Sequence, residues 1–142
     1  QRIGVHTCPG GDQDSTHSAD VDYPELLPGL FDLKVGNFYV QLASEREPER
    51  ALRTIKEVLR PGQRVFVGVI DVLNPTVETP ELVRDRVLQA AKYIPVEHLG
   101  TTDDCGFSPF ADDTSTARDT AFGKIRARIL GTQLAAEKLK VN

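Results

Sequence analysis

The chain has 142 residues, with 21 acidic against 17 basic side chains and a formal net charge of −4. Phosphate contacts need a basic excess or a concentrated basic stripe, so this balance excludes a nucleic-acid-binding module and favours a small-molecule substrate. At 39% hydrophobic and 27% charged the composition is that of a globular domain, and no apolar run approaches the ~18 residues that cross a bilayer.

In chain order, the first strand-like run is Ile3 to His6, short and apolar, ending in Thr7-Cys8-Pro9-Gly10-Gly11. Without a following Lys-Ser/Thr, Pro9-Gly10-Gly11 is not a phosphate-binding loop and simply turns the chain. The acid-rich stretch from Asp12 to Asp22 reads as a solvated loop rather than a cation site. Pro24 and Pro28 leave room for only a short helix from about Asp22 to Asp32. A second strand runs from Asn37 to Leu42, rich in aromatic and β-branched residues. Pro48 opens the next helix, with Ala51, Leu52, Ile55, Val58 and Leu59 as its buried stripe and Pro61-Gly62 as its stop. The third strand, Arg64 to Asp71, is apolar nearly throughout, as expected of a strand covered on both faces.

Thr79, Pro80 and Glu81 read as N-cap, N1 and N2 of a helix whose dipole favours the acid at that end. Val83, Val87, Ala90, Ala91 and Ile94 line its apolar face until Pro95 stops it. A fourth, weaker strand, His98 to Thr102, leads into Asp103-Asp104-Cys105-Gly106. The last helix is expected to start near Thr114 to Thr116 and to bury Ala121, Phe122, Ile125, Ile129 and Leu134. Arg118, Lys124, Arg126 and Arg128 are then its solvated face.

Strand starts near residues 3, 37, 64 and 98 repeat with a period of roughly 30 residues, the βα unit of parallel α/β folds. Two architectures fit: four consecutive units of a (β/α)8 barrel, or a small doubly wound sheet. The chain opens at Gln1 and holds no methionine, so it is expected to be a processed product or a fragment. Two cysteines are too few for a disulfide scaffold, which favours a reducing, cytoplasmic compartment.

Parallel α/β folds gather their functional groups at the carboxyl ends of the strands. Those ends carry His6 and Cys8, then Gln41, then Asp71, then Asp103, Asp104 and Cys105. Two thiolates and an imidazole are zinc ligands, and three protein ligands with one open position are the arrangement of a catalytic zinc. By spacing alone the same cysteines also read as small buried apolar residues. His17 and His98 have no second ligand near them in sequence.

Ile3-Gly4-Val5-His6-Thr7-Cys8, Phe38-Tyr39-Val40-Gln41, Val67-Gly68-Val69-Ile70-Asp71 with Asn74-Pro75, and Asp104-Cys105-Gly106 resemble, in that order, the C-terminal catalytic barrel of cobalamin-independent methionine synthase. The resemblance implies that residues 1–142 are the C-terminal half of a (β/α)8 barrel, its last four βα units. It also implies that zinc activates a thiol, homocysteine, for attack on the methyl group of a methyl-folate. His6, Cys8 and Cys105 match the family's zinc ligands, and Gln41 and Asp71 are expected to line the thiol pocket.

Two positions depart from the family. Gln41 stands where the family has a glutamate ligand, and Leu73 where it has a histidine two residues after the strand-end aspartate. A neutral amide oxygen is a poorer zinc ligand than a carboxylate, and leucine transfers no proton. These departures leave open a related transferase acting on another thiol, such as coenzyme M, or a non-catalytic, degenerate half-barrel. An isolated half-barrel is expected to be inactive, and its open sheet edges to associate with the missing N-terminal half or with a second copy of the chain.

Overall fold

A computed structural model describes residues 3–9, 21–108 and 114–141. Gly10, Gly11, His17 and the acid-rich stretch as far as Asp20 lie outside the described residues. Four strands, β1 (Gly4–Thr7), β2 (Asn37–Val40), β3 (Arg64–Ile70) and β4 (Leu99–Asp103), form one sheet in the order β1-β2-β3-β4. Every neighbouring pair is parallel, and the register aligns His6 with Tyr39, Tyr39 with Phe66 and Phe66 with Gly100. The strands are joined through α1 (Tyr23–Phe31), α2 (Pro48–Val58) and α3 (Pro80–Ala90), and α4 (Arg118–Leu139) follows β4.

Local signals place the helices. Pro sits in the first turn of α1, α2 and α3, where its missing N–H costs nothing. Thr79 caps α3, its hydroxyl accepting from the Leu82 N–H at 3.2 Å. The turn after α2 uses Gly62 at φ +84°, a conformation glycine adopts without a Cβ penalty. His98 belongs to a 3-10 turn (Val96–His98) before β4, and its Nδ1 lies 2.6 Å from the Gln63 carbonyl oxygen, a structural tie.

One apolar core joins Phe38, Val40, Val65, Val67 and Val69 of the sheet to Tyr23, Leu27 and Phe31, to Ala51, Leu52 and Ile55, and to Val83, Val87 and Ala90. These strand residues alternate along the chain, so the helices lie against a single face. Sequential strand order with one helical layer is the barrel-wall arrangement. It excludes the doubly wound alternative, in which the strand order reverses and helices cover both faces. The opposite face carries the Tyr39 and Phe66 rings, stacked with centroids 4.6 Å apart. Glycine is needed beside them, because a Cβ at Gly100 would meet the Phe66 ring at 2.3 Å.

The last helix departs from the sequence expectation. It buries Lys124, Ala127, Gly131 and Ala135, whereas Phe122 and Ile129 are exposed. Small residues at this spacing let α4 approach α3 closely, so a Cβ at Gly131 would stand 2.6 Å from the Pro80 carbonyl oxygen. Ala91, Val58 and Leu59 are only half-buried. Lys124 is not a solvated residue but a fully buried one.

Candidate metal centre

At the carboxyl end of β1, Tyr23 from α1 pins the turn between His6 and Cys8. Its hydroxyl donates to the Thr7 carbonyl oxygen at 3.1 Å and stands 2.7 Å from Thr7 Oγ1. Burial raises the Tyr23 pKa well above its ordinary value, so the phenol keeps the proton it donates. The Gln41 backbone N–H joins the same Thr7 carbonyl at 3.2 Å, tying the end of β2 to that of β1.

Asp104 performs the corresponding task beside Cys105. It is 1% exposed, and its carboxylate accepts from the Leu42, Ala43 and Ser44 N–H groups at 2.8–2.9 Å and from the Ser44 hydroxyl at 2.7 Å. Burial pushes its pKa up, and these four donors oppose that shift by favouring the charged form. The carboxylate fits only because position 68 is glycine: a Cβ there would lie 1.8 Å from Asp104 Oδ1.

Between these anchors the His6, Cys8 and Cys105 ligand atoms converge within 4.8 Å of one another. His6 Nε2 is 3.7 Å from Cys105 Sγ. Zinc bound tetrahedrally at about 2.0–2.3 Å separates sulfur and nitrogen ligands by about 3.5–3.8 Å, so the residues present fit that ion. Partial burial lowers the His6 pKa, although Asp104 pulls the other way, which favours the neutral imidazole a metal requires. Fully buried Gln41 reaches the same cluster, with Oε1 4.0 Å from Cys105 Sγ and Nε2 donating to Glu45 Oε1 at 3.0 Å.

Asp71 follows β3 directly, at the same carboxyl end of the sheet. Its carboxylate accepts the Leu73 N–H at 3.0 Å, closing a turn on itself. Glu78 Oε1 accepts the Asp71 N–H at 2.9 Å, and Lys124 Nζ donates to the Asp71 and Thr76 carbonyl oxygens and to Glu78 Oε2 at 2.7–3.0 Å. This buried ion pair fastens the β3–α3 loop to α4. Asp103, beside Asp104, is turned to Arg128 instead, at 2.9 Å from its Nε.

Sequence reasoning assigned no role to Asp104, Glu45 or Glu78 and misplaced Lys124. The available signal was the run of small residues Ala127, Gly131 and Ala135 in register with Lys124, which marks the buried face of α4.

The catalytic-domain model of cobalamin-independent synthases matches residues 5–121. Methionine synthase of Saccharolobus solfataricus is 33% identical over 139 residues, covering 98% of this chain and 36% of that protein. Methionine synthase of Thermococcus kodakarensis is 30% identical over 138 residues, covering 97% and 35%. The 5-methyltetrahydropteroyltriglutamate–homocysteine methyltransferase of Blochmanniella pennsylvanica is 26% identical over 105 residues, covering 74% of this chain and 14% of that protein. A B12-independent methionine synthase from Shewanella sp. W3-18-1, solved with selenomethionine, superimposes with a TM-score of 0.70 at 25% identity, over 96% of this chain and 39% of that one. The chain thus spans about a third of the archaeal methionine synthases it matches. With the family model covering most of its length, the chain belongs to the cobalamin-independent synthase family, to which it contributes part of the catalytic domain.

Proposed function

We propose that residues 1–142 form the C-terminal half of a zinc-dependent methyltransferase barrel that moves a methyl group from a methyl-folate to the thiol of homocysteine. The observation that carries this reading is the convergence of His6, Cys8 and Cys105 within 4.8 Å at strand carboxyl ends. Bound there, zinc supplies Lewis acidity that lowers a substrate thiol's pKa and presents a thiolate near neutral pH.

The chain's own residues hold that arrangement. Thr7 and Tyr23 set the turn from His6 to Cys8, Asp104 sets the approach of Cys105, and Gln41 and Asp71 line the thiol pocket. The thiolate sulfur forms the new S–CH3 bond as the donor's N–CH3 bond breaks, and the departing nitrogen gains a proton. Leu73 has none to give, so the nitrogen is protonated from elsewhere. Gln41 and Leu73 together favour, as a second reading, transfer to another thiol or from another alkyl donor.

The remaining barrel wall comes from an N-terminal half or from a second copy, and the half supplied here is inactive alone. Metal analysis of freshly purified protein is the test. Near-stoichiometric zinc that disappears in Cys105→Ser supports the reading, and a folded, metal-free wild type sinks it. Methionine formation from homocysteine and a methyl-folate by the whole barrel distinguishes the first reading from the second.

A further inference from the structure

Gln41 is 1% exposed, and the amide at its tip has two faces with opposite chemistry. A carboxylate only accepts hydrogen bonds, so the 3.0 Å contact with Glu45 Oε1 commits the NH2 group to that side. The carbonyl oxygen is thereby turned to the other side, 4.0 Å from Cys105 Sγ and close to the spacing of two ligands on one tetrahedral ion. Flipping the amide would set oxygen against the Glu45 carboxylate and lose a hydrogen bond to a charged group.

Glu45 is itself held in place. Its backbone N–H donates to the Leu42 carbonyl oxygen at 3.2 Å, closing the turn whose Leu42, Ala43 and Ser44 N–H groups converge on Asp104. The turn that seats Glu45 is therefore anchored one residue from Cys105.

We propose that Glu45 is a positioning residue, which acts through Gln41 to keep a neutral oxygen donor facing the His6, Cys8 and Cys105 cluster. Its carboxylate holds the amide through the Nε2–Oε1 hydrogen bond and keeps its own charge one side chain away from the thiolates. This rests on the zinc reading above and adds a residue to it. Glu45 faces the Gln41 amide, and its charge also acts on Tyr23.

The test is zinc affinity by competition with a chromophoric chelator, together with the visible spectrum of the Co²⁺-substituted protein, on wild type, Glu45→Ala, Glu45→Gln, Gln41→Ala and the double alanine variant. Glu45→Ala is expected to lose affinity by about 10- to 100-fold and to shift the Co²⁺ ligand-field bands. Glu45→Gln, whose amide oxygen still accepts from Gln41, is expected to restore both. The double variant is expected to bind no more weakly than Gln41→Ala alone, because Glu45 acts on the cluster through Gln41. Wild-type affinity and spectrum in Glu45→Ala, or an additive loss in the double variant, overturns the proposal while the zinc site stands. A wild type that binds neither metal overturns both.

Discussion

His6 Nε2 and Cys105 Sγ stand 3.7 Å apart, although 99 positions separate them in sequence and they lie at the carboxyl ends of the two outermost strands of the sheet. Across a flat sheet those strands would lie about 14 Å apart, three steps of about 4.8 Å each. The contact exists because the wall curves and because Cys8 and Cys105 lie beyond the strand ends, where the loops lean over the edge. The cluster is thus assembled by every crossover between β1 and β4, and any ion that bridges it clamps the whole sheet.

Zinc should therefore raise the stability of the entire chain. With free zinc at 100 times its dissociation constant, mass action adds about 2.7 kcal/mol. Thermal unfolding with zinc and then with excess chelator measures this increment. It should vanish in Cys8→Ser and Cys105→Ser, whose zinc affinity falls by at least about 100-fold; an unchanged increment in either variant would falsify their role as ligands.

The Lys124–Glu78 pair holds the β3–α3 loop from inside the protein. Lys124→Met takes the nearer of two cations from the buried Glu78 carboxylate, leaving Arg86 at 3.5 Å from Oε1, so the expected cost is at most about 3–5 kcal/mol. Adding Glu78→Gln removes the stranded charge and should recover part of that loss. Urea unfolding of both single variants and the double variant completes the cycle, and strictly additive costs would show that the two groups do not act as a pair.

Gly68 makes room for Asp104. Gly68→Ala drives a methyl group into the carboxylate and is expected to cost about 1–3 kcal/mol, with weaker metal binding because the turn anchored by Asp104 shifts. In an Asp104→Ala background the same substitution should cost less, since its main obstacle is gone. Denaturant midpoints in the two backgrounds check the difference.

Tyr23 sets the alkaline limit. Its folded pKa is raised from 10.0, so the unfolded chain releases this proton first. The stabilisation is complete below pH 10 and declines as pH rises above it. Tyr23→Phe should flatten that decline, measured as unfolding free energy from pH 9 to pH 11. The Tyr23 phenolate absorbance should emerge only as the protein unfolds.

Much of the fold was legible because its signals are local. Pro at helix starts, Thr79 as a cap and short apolar runs place α1, α2 and β3 within a residue or two of the expected bounds and fix the start of α3, which ends at Ala90 rather than running to Ile94. The face of α4 was not, because large apolar residues were read as the buried ones. Close packing on α3 selects Ala127, Gly131 and Ala135, leaving Phe122 and Ile129 outside. Lys124 was misread for a related reason: a lysine is buried only where several acceptors converge, and those at Asp71, Thr76 and Glu78 lie in a distant loop.

By itself, then, the sequence determines four βα units, the strand ends that bear His6, Cys8, Gln41, Asp71 and Cys105, and the resemblance that names the family. Those depend on periodicity, capping and residue type, all of which act over a few neighbours. Only the tertiary structure decides that the thiols and the imidazole meet, that Asp104 and Glu45 fix their surroundings, and that Lys124 is buried. Each of these is a contact across tens of residues, made by the curvature of the sheet and the closeness of α3 to α4, neither of which a local pattern encodes.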